Sequence, residues 1–272
     1  MEEKILVIYC LCDDLLKALH HYEDPQRKTT DAEIMTTALV AMLFFGGNFE
    51  HARSMLGVPT YIPQMVSKSR FNRRLYRVHG LFFSLFGVLA QTWKQLNSES
   101  LYIIDSFPVP VCDNYRIYRA KIYRGEEYRG KIASKRRYFY GLKIHLMVTQ
   151  DGKPVEFFLT PGSFGDVDAL KVFEFDLPEG STVYADRAYN DYLVEDILME
   201  AASVRLLPIR KENSKRPLPP YVGYLQDHYR KFIETVGSLI GKMLPKSIHA
   251  VTPKGFELKV SLFVLAYAIN CL

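Results

Sequence analysis

Residues 101–105 read LYIID and residues 182–186 read TVYAD. Each is a short apolar run of the kind that forms a buried strand, and each run ends in an aspartate. If the two strands are neighbours, Asp105 and Asp186 project from the same carboxyl edge of a sheet, where open α/β sheets hold their functional sites. A single acid at such a place is most often a turn residue, so the pair is the informative feature.

The elements around these two runs predict a mixed α/β domain with the order β-β-β-α-β-α-β-α. The turn at Asp151-Gly152 is a strong hairpin signal between the second and third strands. Asp166 and Asp168 are expected to cap the first helix. His145 is expected to be a buried residue with satisfied hydrogen bonds rather than a ligand. The predicted strands are 101–104, 138–148, 155–159, 181–185 and 204–209, and the predicted helices are 166–175, 190–201 and 224–243.

The first 97 residues lack this pattern and are predicted to be all helical. Apolar spacing near 3.6 residues predicts helices over 4–22 and 31–45, with Thr30 or Asp31 and the nearby Glu33 as N-terminal cap chemistry. The predicted domains are therefore 1–97, a helical domain, and 98–272, an α/β domain.

A short helix over 50–56, a Gly/Pro break and a basic helix over 67–89 are typical of a helix-turn-helix, whose second helix enters the major groove of DNA. The candidate DNA contacts on this helix are Arg70, Arg73 and Arg74. A helical bundle with a solvated basic face remains the alternative, because such faces are common.

Glu234, in the predicted helix over 224–243, is the third candidate acid. It lies off the predicted buried stripe, on a face shared with Arg230, Gly237 and Gly241. Three converging carboxylates form a hard oxygen site that suits Mg²⁺ or Mn²⁺ and suits zinc poorly. Two such ions, about 3.5–4 Å apart, support phosphoryl transfer on nucleic acid. The predicted stripe consists of Leu225, Tyr229, Phe232, Val236, Leu239 and Met243.

The formal charge of +5 carries little information as a total, but it is unevenly distributed along the chain. Residues 116–143 hold ten basic and two acidic residues, interleaved with tyrosines, and residues 205–231 hold seven basic and two acidic residues. Basic residues bind phosphates, and aromatic rings can stack on unpaired bases. A solvated loop is the alternative for the first segment. The candidate DNA contacts are Arg116, Arg119, Lys121, Arg124, Lys135, Arg136, Arg137, Arg210, Lys211, Lys215 and Arg216, with Arg230 and Lys231 beside Glu234.

Other classes of protein are disfavoured by composition. The longest apolar stretches are shorter than the roughly 18 residues of a membrane helix, and the start of the chain is acidic where a signal peptide is basic. The four cysteines show no C-x-x-C pair, so we expect reduced thiols, a cytoplasmic location and no zinc site.

Six runs of sequence, in order, resemble the DDE-class transposases of bacterial insertion sequences. The nearest resemblance is to the IS-nine-eighty-two family, itself related to the insertion-sequence-four-like group, and it covers at least residues 100–272. The runs are IDSFPV (104–109), FYGLKIHL (139–146), PVEFFLTPGS (154–163), YADRAYND (184–191), LLPIRKENSKRPLPP (206–220) and YRKFIETVGSLI (229–240).

The resemblance implies a ribonuclease-H-like catalytic domain with a mixed five-stranded sheet, preceded by the helical domain. It implies that Asp105, Asp186 and Glu234 are the catalytic, metal-binding triad for two Mg²⁺ or Mn²⁺ ions. It also implies a D-x-x-Y element from Asp186 to Tyr189. The related group's Y-x-x-R-x-x-x-E-x6-K pattern fits only in part, since Asp227 stands where tyrosine is expected and Gly241 where lysine is expected.

The expected activity is metal-dependent hydrolysis of the 3′ ends of an element and strand transfer into target DNA. The expected partners are the terminal inverted repeats, the target DNA and a second copy of the chain in a homodimer or larger synaptic complex. Two alternatives stay open: a catalytically silent DNA-binding remnant or self-repressor, and a structure-selective nuclease of the same fold.

Overall fold

The computed structural model describes residues 1–132, 136–173, 175–245 and 248–272. The chain forms two compact units. The helical unit comprises Met1–Leu89, Ile240–Ala250 and Lys254–Leu272, and the α/β unit comprises Ala90–Leu239 and Val251–Pro253. The predicted boundary assigned all residues after 97 to the α/β domain. The division of the structure instead includes Lys254–Leu272 in the helical unit, and the last helix is buried along almost its whole length.

The helical unit begins with α1 (Glu2–Ala18) and α2 (Asp31–Phe44), as predicted. Thr30 and Glu33 form a capping box at the start of α2, in which each side chain accepts a hydrogen bond from the other residue's backbone N–H. The remaining helices of this part are α3 (Phe49–Leu56), α4 (Lys68–Arg77), α5 (His79–Leu96), which continues into the α/β unit, and α9 (Pro253–Asn270).

The predicted basic helix over 67–89 is wrong in length, because it is divided at Val78. Nδ1 of the His79 ring lies 2.9 Å from the Tyr76 carbonyl oxygen. In a continuous α-helix this carbonyl would accept a hydrogen bond from the backbone N–H four residues later. Among the described residues, no single helix is both long and apolar enough to cross a membrane. Helices α2 and α3 taken together are long and apolar enough to cross a membrane, but the two helices are bent by 117° at the break between them.

The α/β unit is built on a mixed sheet of six strands. Strand β1 (Leu101–Asp113) lies between β3 (Arg137–Thr149), to which it is antiparallel, and β5 (Thr182–Ala185), to which it is parallel. Strand β6 (Arg205–Pro208) continues the parallel side, and β4 (Pro154–Pro161) pairs with the other edge of β3. This order is the ribonuclease-H-like sheet, which confirms the predicted fold class. The short β2 (Arg129–Ile132), also paired with β3, is a sixth strand that the sequence did not predict.

Strand β1 does not end at Ile104 as predicted. It runs on to Asp113 because β3 pairs with it along nearly its whole length, whereas its pairing with β5 stops at Ile104. Asp105 is therefore inside a strand, at the point where one neighbour ends. The extension contains Pro108 and Pro110, which a sheet tolerates where one side of a strand lacks a partner.

Helices α6 (Asp166–Val172), α7 (Tyr192–Ala202) and α8 (Pro220–Met243) complete the unit. The predicted stripe of α8 is wrong by a rotation of about one residue. Leu239 is 43% exposed, and polar Gln226 is buried because its amide donates a hydrogen bond of 2.9 Å to the Leu207 carbonyl. The observed buried residues of α8 are Val222, Gln226, Ile233, Val236 and Ile240.

Candidate active site

The sheet brings Asp105 and Asp186 to neighbouring positions. Ile104 and Ala185 form the last pair between β1 and β5, and the two aspartates directly follow them. Adjacent strands lie about 4.8 Å apart, and residues at the same register of a parallel pair face the same side of the sheet. Both side chains line a narrow cleft that Gln226 and Arg230 of α8 close.

Asp105 lies in an environment that disfavours its charge. Burial raises the pKa of its carboxyl group to about 7, and the nearby carboxylates of Asp186, Asp166 and Glu234 act in the same direction. The backbone N–H of Ser106, which donates to Asp105 Oδ1 at 2.7 Å, opposes this shift. A carboxyl group held among other acids at the end of a strand ladder is a candidate for function.

Arg230 connects the third acid to this pair. Its Nε donates to Glu234 Oε1 at 3.1 Å, and its Nη1 lies 3.9 Å from Asp186 Oδ1. The negative charge of Asp186 is the main reason that the pKa of Arg230 is raised. Glu234 is exposed, with its carboxylate turned to Arg230. The arginine thus compensates part of the negative charge of the cleft.

The donor set of the cleft fits a divalent cation in part. Asp105 and Asp186 offer hard carboxylate oxygens side by side, and their charge is only partly balanced by Arg230. Within the described residues, however, no three His, Cys, Asp or Glu side chains are grouped closely enough to hold one ion. Glu234 would therefore have to leave Arg230 before it could become a third ligand.

A second group of polar side chains lies against Asp105, and the sequence did not reveal it. Ser106 Oγ donates to Asp166 Oδ1 at 2.9 Å. Lys143 Nζ donates to the same oxygen at 3.3 Å and to the Phe164 carbonyl at 2.7 Å. The expectation that Asp166 and Asp168 cap α6 is wrong, because Gly165 is the N-cap residue and no side chain caps the helix.

His145 has the structural role that was predicted for it. The ring is buried in β3, with Nδ1 3.0 Å from the Tyr189 hydroxyl and Nε2 3.0 Å from the Thr160 hydroxyl, and it stacks on Phe158. Burial is the main cause that lowers its pKa to about 4; the negative charge of Asp166 opposes this shift, and the positive charge of Lys143 favours it. Burial likewise raises the pKa of Tyr189 well above its ordinary value. The tyrosine of the D-x-x-Y element thus forms part of a hydrogen-bonded layer behind the acids.

The predicted DNA-contacting cations fall into two groups. Some are held by carboxylates: Arg74 pairs with Asp31 and Glu23, Arg210 with Glu195 at 2.6 Å, and Arg216 with Asp196 at 2.7 Å. Arg210 is 8% exposed, so its guanidinium is unavailable to a ligand at the surface. Arg137 lies 3.4 Å from Asp113, and Lys135 is outside the described residues. Arg137 and Arg216 remain 45% exposed beside their carboxylates, and Arg230 is exposed beside Glu234. The other exposed cations are Arg70, Arg73, Arg116, Arg119, Lys121, Arg124, Arg136, Lys211, Lys215 and Lys231.

The strand order and the paired aspartates define the α/β unit as a ribonuclease-H-like domain. The chain belongs to the family described as "Transposase DDE domain", whose sequence profile matches residues 95–248. Domains of this family generally use divalent metal ions.

No protein of curated function matches the chain. Among solved structures, the chain is similar to the piggyBac transposase in a cryo-EM structure of its synaptic complex with hairpin DNA. The TM-score is 0.46 and the identity 10%, over 97% of this chain and 73% of that one.

Proposed function

We propose that the chain is the DNA transposase of an insertion sequence, of the IS-nine-eighty-two kind. It binds terminal inverted repeats, hydrolyses the phosphodiester at each 3′ end and transfers the strand into target DNA. The observation that carries this proposal is the position of Asp105 and Asp186 at the end of one strand ladder, with Arg230 and Glu234 of α8 across them. Membership of the transposase DDE family supports it.

In this proposal the residues of the cleft have separate roles. Asp105 and Asp186 would hold Mg²⁺ or Mn²⁺ jointly, and Glu234 would complete the ligand set. Two bound ions would supply an activated water or 3′-hydroxyl and stabilise the leaving oxygen. Arg230 moves from Glu234 to a phosphate of the scissile strand, because a phosphate offers its guanidinium two oxygens in place of one carboxylate contact. The exchange couples DNA binding to completion of the acidic site.

The exposed cations supply the proposed DNA surface. Lys211 and Lys215 precede α8 in sequence, Lys231 lies beside Arg230, and the segment from Arg116 to Arg124 follows β1. In the helical unit, Arg70 and Arg73 are exposed arginines of α4. Arg74 and Arg210 are left out of this surface because they are largely buried against carboxylates, and Arg216 because two oxygens of Asp196 hold its guanidinium. Two ends must be cut together, so a homodimer or a larger synaptic complex, acting in the cytoplasm, belongs to the same proposal.

One experiment separates this function from its alternatives. The purified chain is incubated in Mg²⁺ or Mn²⁺ with labelled DNA that carries the inverted repeats flanking its gene, and with a scrambled version of equal length. We expect 3′-end nicking that depends on the repeat sequence. Binding without nicking would identify a silent DNA-binding protein, and nicking of both DNAs alike would identify a structure-selective nuclease.

A further inference from the structure

Three exposed tyrosines lie where β1 leaves the sheet and where β3 begins. Tyr115 and Tyr118 belong to a 3₁₀-helix over Asn114–Arg119, and Tyr138 lies in β3. Their exposed fractions are 66%, 70% and 44%. Large aromatic rings are usually at least partly removed from water, so these three exposed rings are available for a ligand.

The 3₁₀-helix aligns two of these rings. Residues three apart in such a helix are eclipsed, and its rise of about 2 Å per residue separates Tyr115 and Tyr118 by about 6 Å along one side. Each ring has a guanidinium beside it: Arg116 lies 5.2 Å from the Tyr115 centroid, and Arg119 lies 5.2 Å from that of Tyr118. The rings and the cations therefore alternate along one short surface.

Tyr138 extends this surface across the sheet. It lines a cavity of about 430 Å³ together with Tyr115, Asn114, Asp113 and Arg137. The one acid of the cavity lies 3.4 Å from Arg137, so its charge is compensated. Arg129 and Lys131 lie 4.8 Å and 5.8 Å from the Tyr138 centroid. The cavity thus has aromatic walls and a basic rim.

The ligand that fits alternating rings and cations is a strand whose bases are not paired. In a duplex the faces of the bases are already stacked on one another, whereas an unpaired base can stack on tyrosine and its phosphate can contact arginine. We propose, as an extension of the proposed function, that Tyr115, Tyr118 and Tyr138 bind unpaired bases of DNA at or beside the element's end. Arg116 and Arg119 hold the phosphates of the same strand.

The test compares two DNAs in equilibrium binding by fluorescence anisotropy. One is a blunt duplex of the terminal repeat, and the other is the same duplex with a short single-stranded extension. We expect the wild type to bind the extended DNA more tightly. The double change Tyr115→Leu and Tyr118→Leu removes that preference, because leucine keeps apolar bulk but cannot stack as a ring does. Loss of each ring weakens binding of the extended DNA by about 5- to 100-fold. Blunt-duplex affinity stays within about twofold.

Matched controls make the result specific to stacking. The corresponding phenylalanine variants retain the preference, since the ring remains. Tyr224→Leu, at a tyrosine of α8 that is 76% exposed, leaves it unchanged. The proposal is overturned if wild type binds both DNAs equally, or if the leucine variants keep the preference. It is also overturned if phenylalanine reduces the preference as much as leucine does. Metal-dependent cleavage of the blunt DNA reports the proposed function separately.

Discussion

Asp105 and His145 lie in the same unit, and burial moves their pKa values in opposite directions, to about 7 and about 4. The acid is therefore partly protonated near neutral pH, and the histidine is neutral throughout the ordinary range. Both residues therefore contribute to the dependence of stability on pH between 4 and 8.

His145 lowers the stability of the fold in acid. The unfolded chain binds a proton near pH 6.5, whereas the folded chain binds it only near pH 4, so stability is full above 6.5 and decreases as the pH falls toward 4. The difference amounts to roughly 3 kcal/mol at 1.4 kcal/mol per pKa unit. In urea unfolding of His145→Gln we expect a lower stability at pH 7 but a much smaller decrease between pH 6.5 and 4. Asp105 is present in both proteins, so its contribution cancels; equal slopes would contradict the assignment.

Asp105 changes the pH dependence of stability in the opposite direction. Its folded pKa lies above the ordinary 3.8, so its contribution is most favourable at low pH and is lost as the pH rises through 7. Asp105→Asn is permanently uncharged. In EDTA at pH 8 we expect this variant to be more stable than wild type by about 1–3 kcal/mol, an advantage that shrinks as the pH falls from 7 toward 4. Glu200→Gln, at an exposed site of α7, serves as the control with no change. A destabilised Asp105→Asn under these conditions would show that the carboxylate is compensated already.

At the scale of elements, the hydrophobic patterns predicted most helices and strands and missed those that depend on contacts. The capping box at Thr30 and the Asp151-Gly152 turn are local, so the sequence was sufficient for both. The continuation of β1 beyond Asp105 depends on pairing with β3, about 26 to 39 residues further along the chain. The orientation of α8 depends on a hydrogen bond from Gln226 to β6, which no count of apolar residues reveals.

Glycines in α8 offer a test of that helix. A Cβ at Gly241 would meet nothing within 4 Å, and glycine in a helix interior is less favourable than alanine by about 1 kcal/mol. We expect Gly241→Ala to raise the free energy of unfolding by about 0.5–1 kcal/mol, measured in urea.

The contrasting variant is Gly152→Ala. That residue has φ +85°, and a Cβ there would lie 2.9 Å from the Phe232 ring, so the change should lower stability by more than about 1 kcal/mol. Destabilisation by Gly241→Ala would mean that this face of α8 is not open.

For the molecule as a whole, the placement of charge matters more than its total. Two carboxylate-held arginines of the predicted DNA surface, Arg74 and Arg210, could not be recognised from sequence, because their partners are 15 to 51 residues away. The group formed by Ser106, Lys143 and Asp166 was missed for the same reason. The neighbouring positions of Asp105 and Asp186 were predictable, because each residue directly follows an apolar run that the sequence indicates to be a strand.

Salt dependence tests the proposed DNA surface. Each phosphate contact contributes a slope of about −0.9 to the logarithm of the binding constant against the logarithm of salt concentration. We expect the double change Lys211→Gln and Lys215→Gln to reduce the magnitude of the slope by about two and to weaken binding to all duplexes alike. Lys17→Gln, at an exposed lysine paired with Asp13 in α1, is the control. An unchanged slope in the double variant would remove residues 211–215 from the surface.

In the proposed function, Asp105, Asp186 and Glu234 act together in cutting DNA ends. The direct measurement is the single-turnover rate of 3′-end cleavage in Mg²⁺ for Asp105→Asn, Asp186→Asn and Glu234→Gln, beside wild type and Glu200→Gln. Loss of a residue that merely supports a metal ligand costs about 10- to 100-fold, so we expect each of the three variants to be slower by more than about 100-fold. Glu200→Gln should cut at the wild-type rate. Near-wild-type cleavage by any one of the three would contradict the account.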